Sequence, residues 1–179
     1  MWEEVQPKLD DARPFLPLGI AVLAVSDTRD LKSDRSGAYL AEALAEAGHR
    51  LIDRRLVRDE EEAIAGVLEE WLARDDIQVI LTTGGTGITR RDVTPEAVAR
   101  FFDKPIPGFG ELFRMLSYHK IGPATIQSRA VAGIARGRLI FALPGSPGAC
   151  RDAWEGILKW QLDNRCRPCN FVELLPRLA

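Results

Sequence analysis

The chain has 179 residues, 46% of them apolar and 28% charged, with a formal net charge of −2. These values fit one compact globular domain of ordinary composition. They argue against a nonspecific nucleic-acid binder, which needs a basic footprint, and no apolar run approaches the ~20 residues of a membrane span.

The acidic start Met1-Trp2-Glu3-Glu4 lacks a signal-peptide pattern, so a cytoplasmic protein with no membrane partner is expected. Residues 1–18 carry Pro7, Pro14 and Pro17 and read as an extended arm. Residues 19–25, Gly-Ile-Ala-Val-Leu-Ala-Val, form a continuous apolar run, the pattern of a strand buried on both faces. Ser26 and Asp27 end it. Asp34-Arg35-Ser36-Gly37 opens a helix to about Ala47, with Leu40, Ala41, Leu44 and Ala45 as its inner face and Gly48 as its stop. Residues 51–57 read as a second, more polar strand. Residues 60–74 give the clearest helix, with Ile64, Val67, Leu68, Trp71 and Leu72 on one face.

Residues 77–81 form a third strand leading into Thr82-Thr83-Gly84-Gly85-Thr86-Gly87. Thr94-Pro95-Glu96 supplies an N-cap, a first-turn proline and an acidic first turn for a short helix. A further helix is expected over 110–120 with Leu112, Phe113 and Leu116 inward. Residues 131–135 and 139–143 flank Arg136-Gly137-Arg138, a hairpin signal that adds one antiparallel strand. Pro144-Gly145-Ser146-Pro147-Gly148 then opens the last helix, striped by Cys150, Ala153, Trp154, Ile157 and Leu158.

This order predicts an α/β fold: a three-layer α/β/α sandwich on a mostly parallel sheet with one antiparallel hairpin strand. The expected organisation is an arm at 1–18, one domain at 19–165 and a tail at 166–179. Ligands in such sheets bind beyond the carboxyl ends of the strands. Ser26-Asp27-Thr28, residues 82–92 and residues 144–148 all follow strands, so one shared site is expected.

The glycine-rich turn lacks the Gly-Lys-Ser/Thr of a Walker loop, and Arg90 stands where a dinucleotide fingerprint needs its third glycine. It reads either as a tight turn that needs glycine for geometry or as an anion cradle of amides and threonine hydroxyls. Asp92 and Asp59 each follow a strand and precede a helix, so each reads as an N-terminal helix residue or as a Mg²⁺ ligand beside a bound polyphosphate. Together they suit metal-assisted phosphoryl or nucleotidyl transfer. No serine has an evident histidine partner, and His49 and His119 read as surface or capping residues. Cys166-Arg167-Pro168-Cys169 has C-x-x-C spacing, but its place in the tail favours free structural thiols over a redox pair. Trp2, Trp71, Trp154 and Trp160 are expected in the core or at subunit contacts.

Residues 80–87, followed after four residues by Asp92-Val93-Thr94-Pro95-Glu96-Ala97, resemble the signature of the MoaB/Mog family of molybdenum cofactor biosynthesis proteins. Val25-Ser26-Asp27, Asp34-Arg35-Ser36-Gly37, Val57-Arg58-Asp59-Glu60, Pro107-Gly108-Phe109-Gly110-Glu111 and Leu143-Pro144-Gly145-Ser146-Pro147 match in order. The tail is more similar to the MoaB branch. The resemblance implies adenylyl transfer from Mg-ATP to the terminal phosphate of molybdopterin, with Asp59 and Asp92 in catalysis and metal binding. It implies that Thr83, Gly84, Gly85, Thr86 and Gly87 form the phosphate turn, with Ser26, Asp27, Gly145 and Ser146 lining the pocket. A pterin- and nucleotide-binding protein without turnover, possibly using GTP, is the alternative it implies. It also implies a homo-trimer or hexamer, and other proteins of the same pathway as partners.

Overall fold

The apolar runs become inner strands because both of their faces are covered. The computed structural model describes residues 7–178; Trp2 lies outside them. In chain order the elements are β1 (Lys8–Leu9), β2 (Gly19–Val25), α1 (Arg35–Glu46), β3 (Arg50–Val57), α2 (Glu61–Leu72), β4 (Val79–Thr83), α3 (Thr94–Ala99), β5 (Lys104–Pro105) and α4 (Pro107–Ile121). A 3₁₀ segment (Gly122–Gln127), β6 (Val131–Ala135), β7 (Arg138–Leu143) and α5 (Pro147–Ala153) follow. A π turn (Trp154–Leu158) joins α5 to α6 (Lys159–Gln161), before β8 (Cys166–Arg167) and a final 3₁₀ turn.

Six strands form the main sheet in the order β3-β2-β4-β7-β6-β5. The first four of that order are parallel, and β6 runs antiparallel to both β7 and β5. Alternate residues divide between two cores, as the pleat requires. Ile20, Val22, Val79, Leu81, Leu139 and Phe141 pack toward α1, α4 and α5, with Trp154 among them. Ala21, Leu23, Ile80 and Ile140 pack toward α2 and α3, with Trp71 among them. This is the three-layer sandwich that the sequence predicts.

Two faces differ from the helical reading. On α1, Ala43 is buried and Ala45 exposed, because the helix turns Gly37, Leu40 and Leu44 onto the sheet. On α4 the proline-initiated start at Pro107 rotates Phe109, Phe113 and Ser117 inward, leaving Leu112 exposed. Thr94 is the first residue of α3 rather than its cap, which falls on Val93.

The arm and tail are joined to each other: β1 pairs antiparallel with β8. Asn164 fastens the arm further, accepting from the Leu16 amide at 2.9 Å and donating to the Pro14 carbonyl at 3.0 Å. His49 is buried beneath this arm, not on the surface. Its Nδ1 accepts from the Leu18 amide at 3.2 Å, and Phe15 and Trp154 flank its ring. All three cysteines are free thiols, with Cys169 exposed.

Candidate functional site

Strand β2 has β3 on one side and β4 on the other, so the chain order reverses between β2 and β4. A crevice opens at such a point beyond the strand ends. Here it is a cleft of about 500 Å³, walled by the segment after β2, the glycine-rich turn after β4 and the loop after β7. Ser26, Asp27, Asp59, Thr83, Gly84, Gly85, Thr86, Gly87, Asp92 and Gly145 all line it. Ser146 is set apart: its hydroxyl accepts from the Ala149 amide and caps α5.

Close approach explains the glycines. Gly84 has φ +104°, and a Cβ there would lie 2.1 Å from the Val25 carbonyl oxygen. Gly85 has φ +64°, and its Cβ would lie 2.4 Å from Thr94 Oγ1 and 2.7 and 2.8 Å from the two Asp59 carboxylate oxygens. A β-carbon on Gly87 would meet Asp92 Oδ2 at 2.8 Å. The turn is thus threaded between both aspartates.

Its amides are not all free. The Gly84 N–H donates to the Leu143 carbonyl at 3.0 Å, and the Gly87 N–H is directed at the Asp92 carboxylate. The amides of Gly85 and Thr86 make no backbone bond, so the anion cradle narrows to these two. Thr83 also serves the framework, donating its hydroxyl to the Pro144 carbonyl at 2.9 Å. The Gly145 carbonyl accepts from Ser36 Oγ at 2.9 Å, tying α1 to the loop after β7.

Neither aspartate is a helix cap. Glu60 holds the N-cap position of α2 without a side-chain capping bond, while Asp59 Oδ1 accepts from the Val93 amide at 3.2 Å. Burial raises the Asp59 pKa, the Val93 bond opposes that, and the nearby charges of Asp92 and Asp27 add to the rise. Asp92 Oδ2 accepts from the Thr89 amide at 2.8 Å and from its hydroxyl at 2.6 Å. Burial acts to raise the Asp92 pKa as well, but the Thr89 bonds outweigh it and the net shift is downward. The two carboxyl groups are therefore tuned in opposite directions.

Asp27 carries a different load. Its carboxylate accepts from Arg91 Nε at 2.9 Å and Nη2 at 2.8 Å, and from the Asp59 amide at 3.2 Å. The Arg91 bonds hold its pKa below the ordinary value. A second arginine, Arg129, braces the turn: Nε donates to the Gly87 carbonyl and Nη2 to the Asp92 carbonyl, both at 2.6 Å, and Nη1 pairs with Glu96. Sequence reading missed Arg91 and Arg129, together with Arg29, Asp34, Ser36, Gln127 and Ser128 of the lining. The Arg90-Arg91-Asp92 run was a signal for Arg91; for Arg129 there was none.

The donor set suits a hard cation, which prefers oxygen ligands. Besides the Asp59 and Asp92 carboxylates, the fully buried Thr94 Oγ1 has no hydrogen-bond partner and faces Gly85 beside Asp59. Among the described residues, no group of three or more His, Cys, Asp or Glu is placed to hold a metal alone. A cation here would keep waters and use ligand phosphates, as Mg²⁺ does.

Residues 21–164 match the family described as "Probable molybdopterin binding domain". Molybdenum cofactor biosynthesis protein B of Escherichia coli K12 is 53% identical over 157 residues, covering 88% of this chain and 92% of that protein. The chain belongs to the MoaB family. The protein of the same name from Bacillus cereus is 45% identical over 138 residues, 76% of this chain and 82% of the relative. A crystal structure of molybdenum cofactor biosynthesis protein B superposes with a TM-score of 0.84 at 38% identity, covering 93% of this chain and 98% of that one. The cleft, the glycine turn and both aspartates fall inside the span that defines the family. No helix among the described residues is long and apolar enough to cross a membrane.

Proposed function

We propose that this protein works in molybdenum cofactor biosynthesis by binding molybdopterin and Mg-ATP in the cleft. It transfers AMP to the terminal phosphate of molybdopterin and releases pyrophosphate. The observation that carries this reading is the glycine turn held between Asp59 and Asp92 at the sheet's point of reversal. Membership of the family supports the pterin as ligand.

Asp59 and Asp92, with the Thr94 hydroxyl, would hold Mg²⁺, which supplies neutralisation of phosphate charge when bound. The Gly85 and Thr86 amides would receive phosphate oxygens. Arg129 fixes the turn's carbonyls, so these donors are oriented before ligand arrives. Ser26, Asp27, Thr83 and Gly145 shape the wall, and Ser146 holds the start of α5. The attacking group is a phosphate oxygen of the pterin, so no protein nucleophile is needed. Cys150, the thiol nearest the turn, is pushed up to about 11 by burial and remains protonated.

The setting is cytoplasmic, and the assembly is a homo-trimer or hexamer. Leu112, Met115, Tyr118 and Ile121 are large apolar side chains of α4 left exposed in the single chain, which supports self-association. The test is pyrophosphate release from molybdopterin, ATP and Mg²⁺ by the purified protein. Release that disappears in a folded Asp92→Ala variant supports the transfer. Saturable binding of both ligands without release, or binding of GTP in place of ATP, gives the non-catalytic role instead.

A further inference from the structure

Three arginines stand at the cleft and differ in how they are held: Arg29, part of its lining, donates to the Gly145 carbonyl at 3.3 Å. All three Arg129 bonds reach the segment running from the glycine turn into α3, two of them to backbone carbonyls. Among the described residues, the Arg91 guanidinium has one hydrogen-bonding partner, the Asp27 carboxylate. That pair is open to water, with Arg91 58% and Asp27 35% exposed. Water and salt screen an exposed pair even when it is bidentate, so Arg91 can exchange Asp27 for another anion. Because Arg91 adjoins Asp92 in sequence, its guanidinium stays within reach of the cleft after it lets go.

We propose that Arg91 is a movable counterion, which neutralises the acidic wall at Asp27 before ligand binds and turns to ligand phosphate when a cation enters. This rests on the reading of the cleft as a cation and nucleotide site. Three features besides the aspartates support it. The fork geometry that now grips Asp27 fits a phosphate equally well. The Asp59 amide donates to the same Asp27 carboxylate, so a cation arriving beside Asp59 meets the acidic group that Arg91 now covers. The Thr94 hydroxyl, buried and unpartnered next to Asp59, marks a polar position awaiting a ligand. The exchange keeps charge balanced throughout: the cation takes over the carboxylates while the guanidinium takes over the phosphate.

The signature is a pair of effects with opposite sign. Mn²⁺ alone, followed by electron paramagnetic resonance, should bind Arg91→Ala about fivefold more tightly than the native chain, because a competing positive charge is gone. Fluorescent mant-ATP in saturating Mg²⁺ should bind the same variant about tenfold more weakly, because a bidentate phosphate contact is lost. Arg91→Lys keeps the charge without the fork and should restore the native Mn²⁺ affinity while recovering only part of the nucleotide affinity. In an Asp27→Asn background the Mn²⁺ gain from Arg91→Ala should fall below about twofold, since Arg91 is no longer held at the wall.

If Arg91 merely ties two loops together, its removal weakens both ligands, and the proposal fails. It fails too if the Mn²⁺ gain persists undiminished without Asp27, which a general charge effect would give. Asp92→Asn in the otherwise native chain separates the two levels. Should that variant bind Mn²⁺ as the native protein does, the cation reading of the cleft itself is wrong. Should it lose Mn²⁺ while Arg91→Ala gains none, only the exchange is wrong.

Discussion

Gly85→Ala places a methyl group where the structure leaves no room. The backbone at φ +64° disfavours any L side chain by about 1–2 kcal/mol. The new Cβ would also stand 2.4 Å from Thr94 Oγ1 and under 3 Å from both Asp59 oxygens, where ordinary contact begins at 3.4 Å. Relief requires the threonine oxygen to withdraw by about 1 Å and the carboxylate by somewhat less, in a region too tightly packed to yield freely. Strain and overpacking together should destabilise the protein by about 2–4 kcal/mol, roughly 10 °C in Tm for a domain of this size. Displacing a catalytic group by such a distance lowers turnover by about 100-fold. Thermal unfolding and pyrophosphate release on the same preparation provide the measurement. A variant that loses less than about 1 kcal/mol and keeps native turnover would refute the close approach of Gly85 to Asp59 and Thr94.

Thr94→Val replaces the unpartnered buried hydroxyl with a methyl of similar size. Stability should hold or rise, because no hydrogen bond is lost, while Mn²⁺ affinity and turnover fall; unchanged Mn²⁺ affinity would remove Thr94 from the site. Asp59→Asn should raise Tm at neutral pH and reduce turnover by at least about 100-fold. Burial raises the Asp59 pKa, so the fold favours the neutral form and removing the carboxylate's charge relieves that cost. The His49 pKa is pushed from 6.5 down to about 4, first by burial, with Asp163 partly opposing. Its contribution is fully present above pH 6.5 and is lost as pH falls toward 4, with about 2 kcal/mol gone by pH 5. Urea melts at both pH values should show this loss in the native chain and a much smaller one in His49→Asn, which keeps an acceptor for the Leu18 amide.

The sandwich was legible because its inner strands are buried on both faces, so β2, β4 and β7 carry unbroken apolar runs. Three loops at strand ends then had to meet at one edge, and ten of the eleven expected site residues line one cleft. What escaped reading depends on partners distant in sequence. Arg91 and Asp27 lie 64 residues apart, and exposed charges have no periodicity to announce whom they pair with. Arg129 reaches the turn from the segment before β6, a docking set by tertiary packing alone. The arm's pairing with the tail spans 157 residues at Arg167 and Asp10 and rests on a strand only two residues long. Ser146 was misplaced for a local reason: Ser-Pro before a helix is also a cap signal. On α4 the inward reading held for Phe113 and Leu116 but not for Leu112, because the helix starts at Pro107 and brings Phe109 onto the sheet instead.

Isotope transfer shows whether the glycine turn and its two aspartates carry nucleotidyl transfer. Molybdopterin and Mg²⁺ are incubated with ATP labelled at the α-phosphate, and the label is followed into the pterin. The native protein should give labelled pterin and pyrophosphate in equal amounts, and a folded Asp92→Ala should give neither. Native protein that binds pterin and nucleotide yet leaves all label in ATP would contradict nucleotidyl transfer at this site.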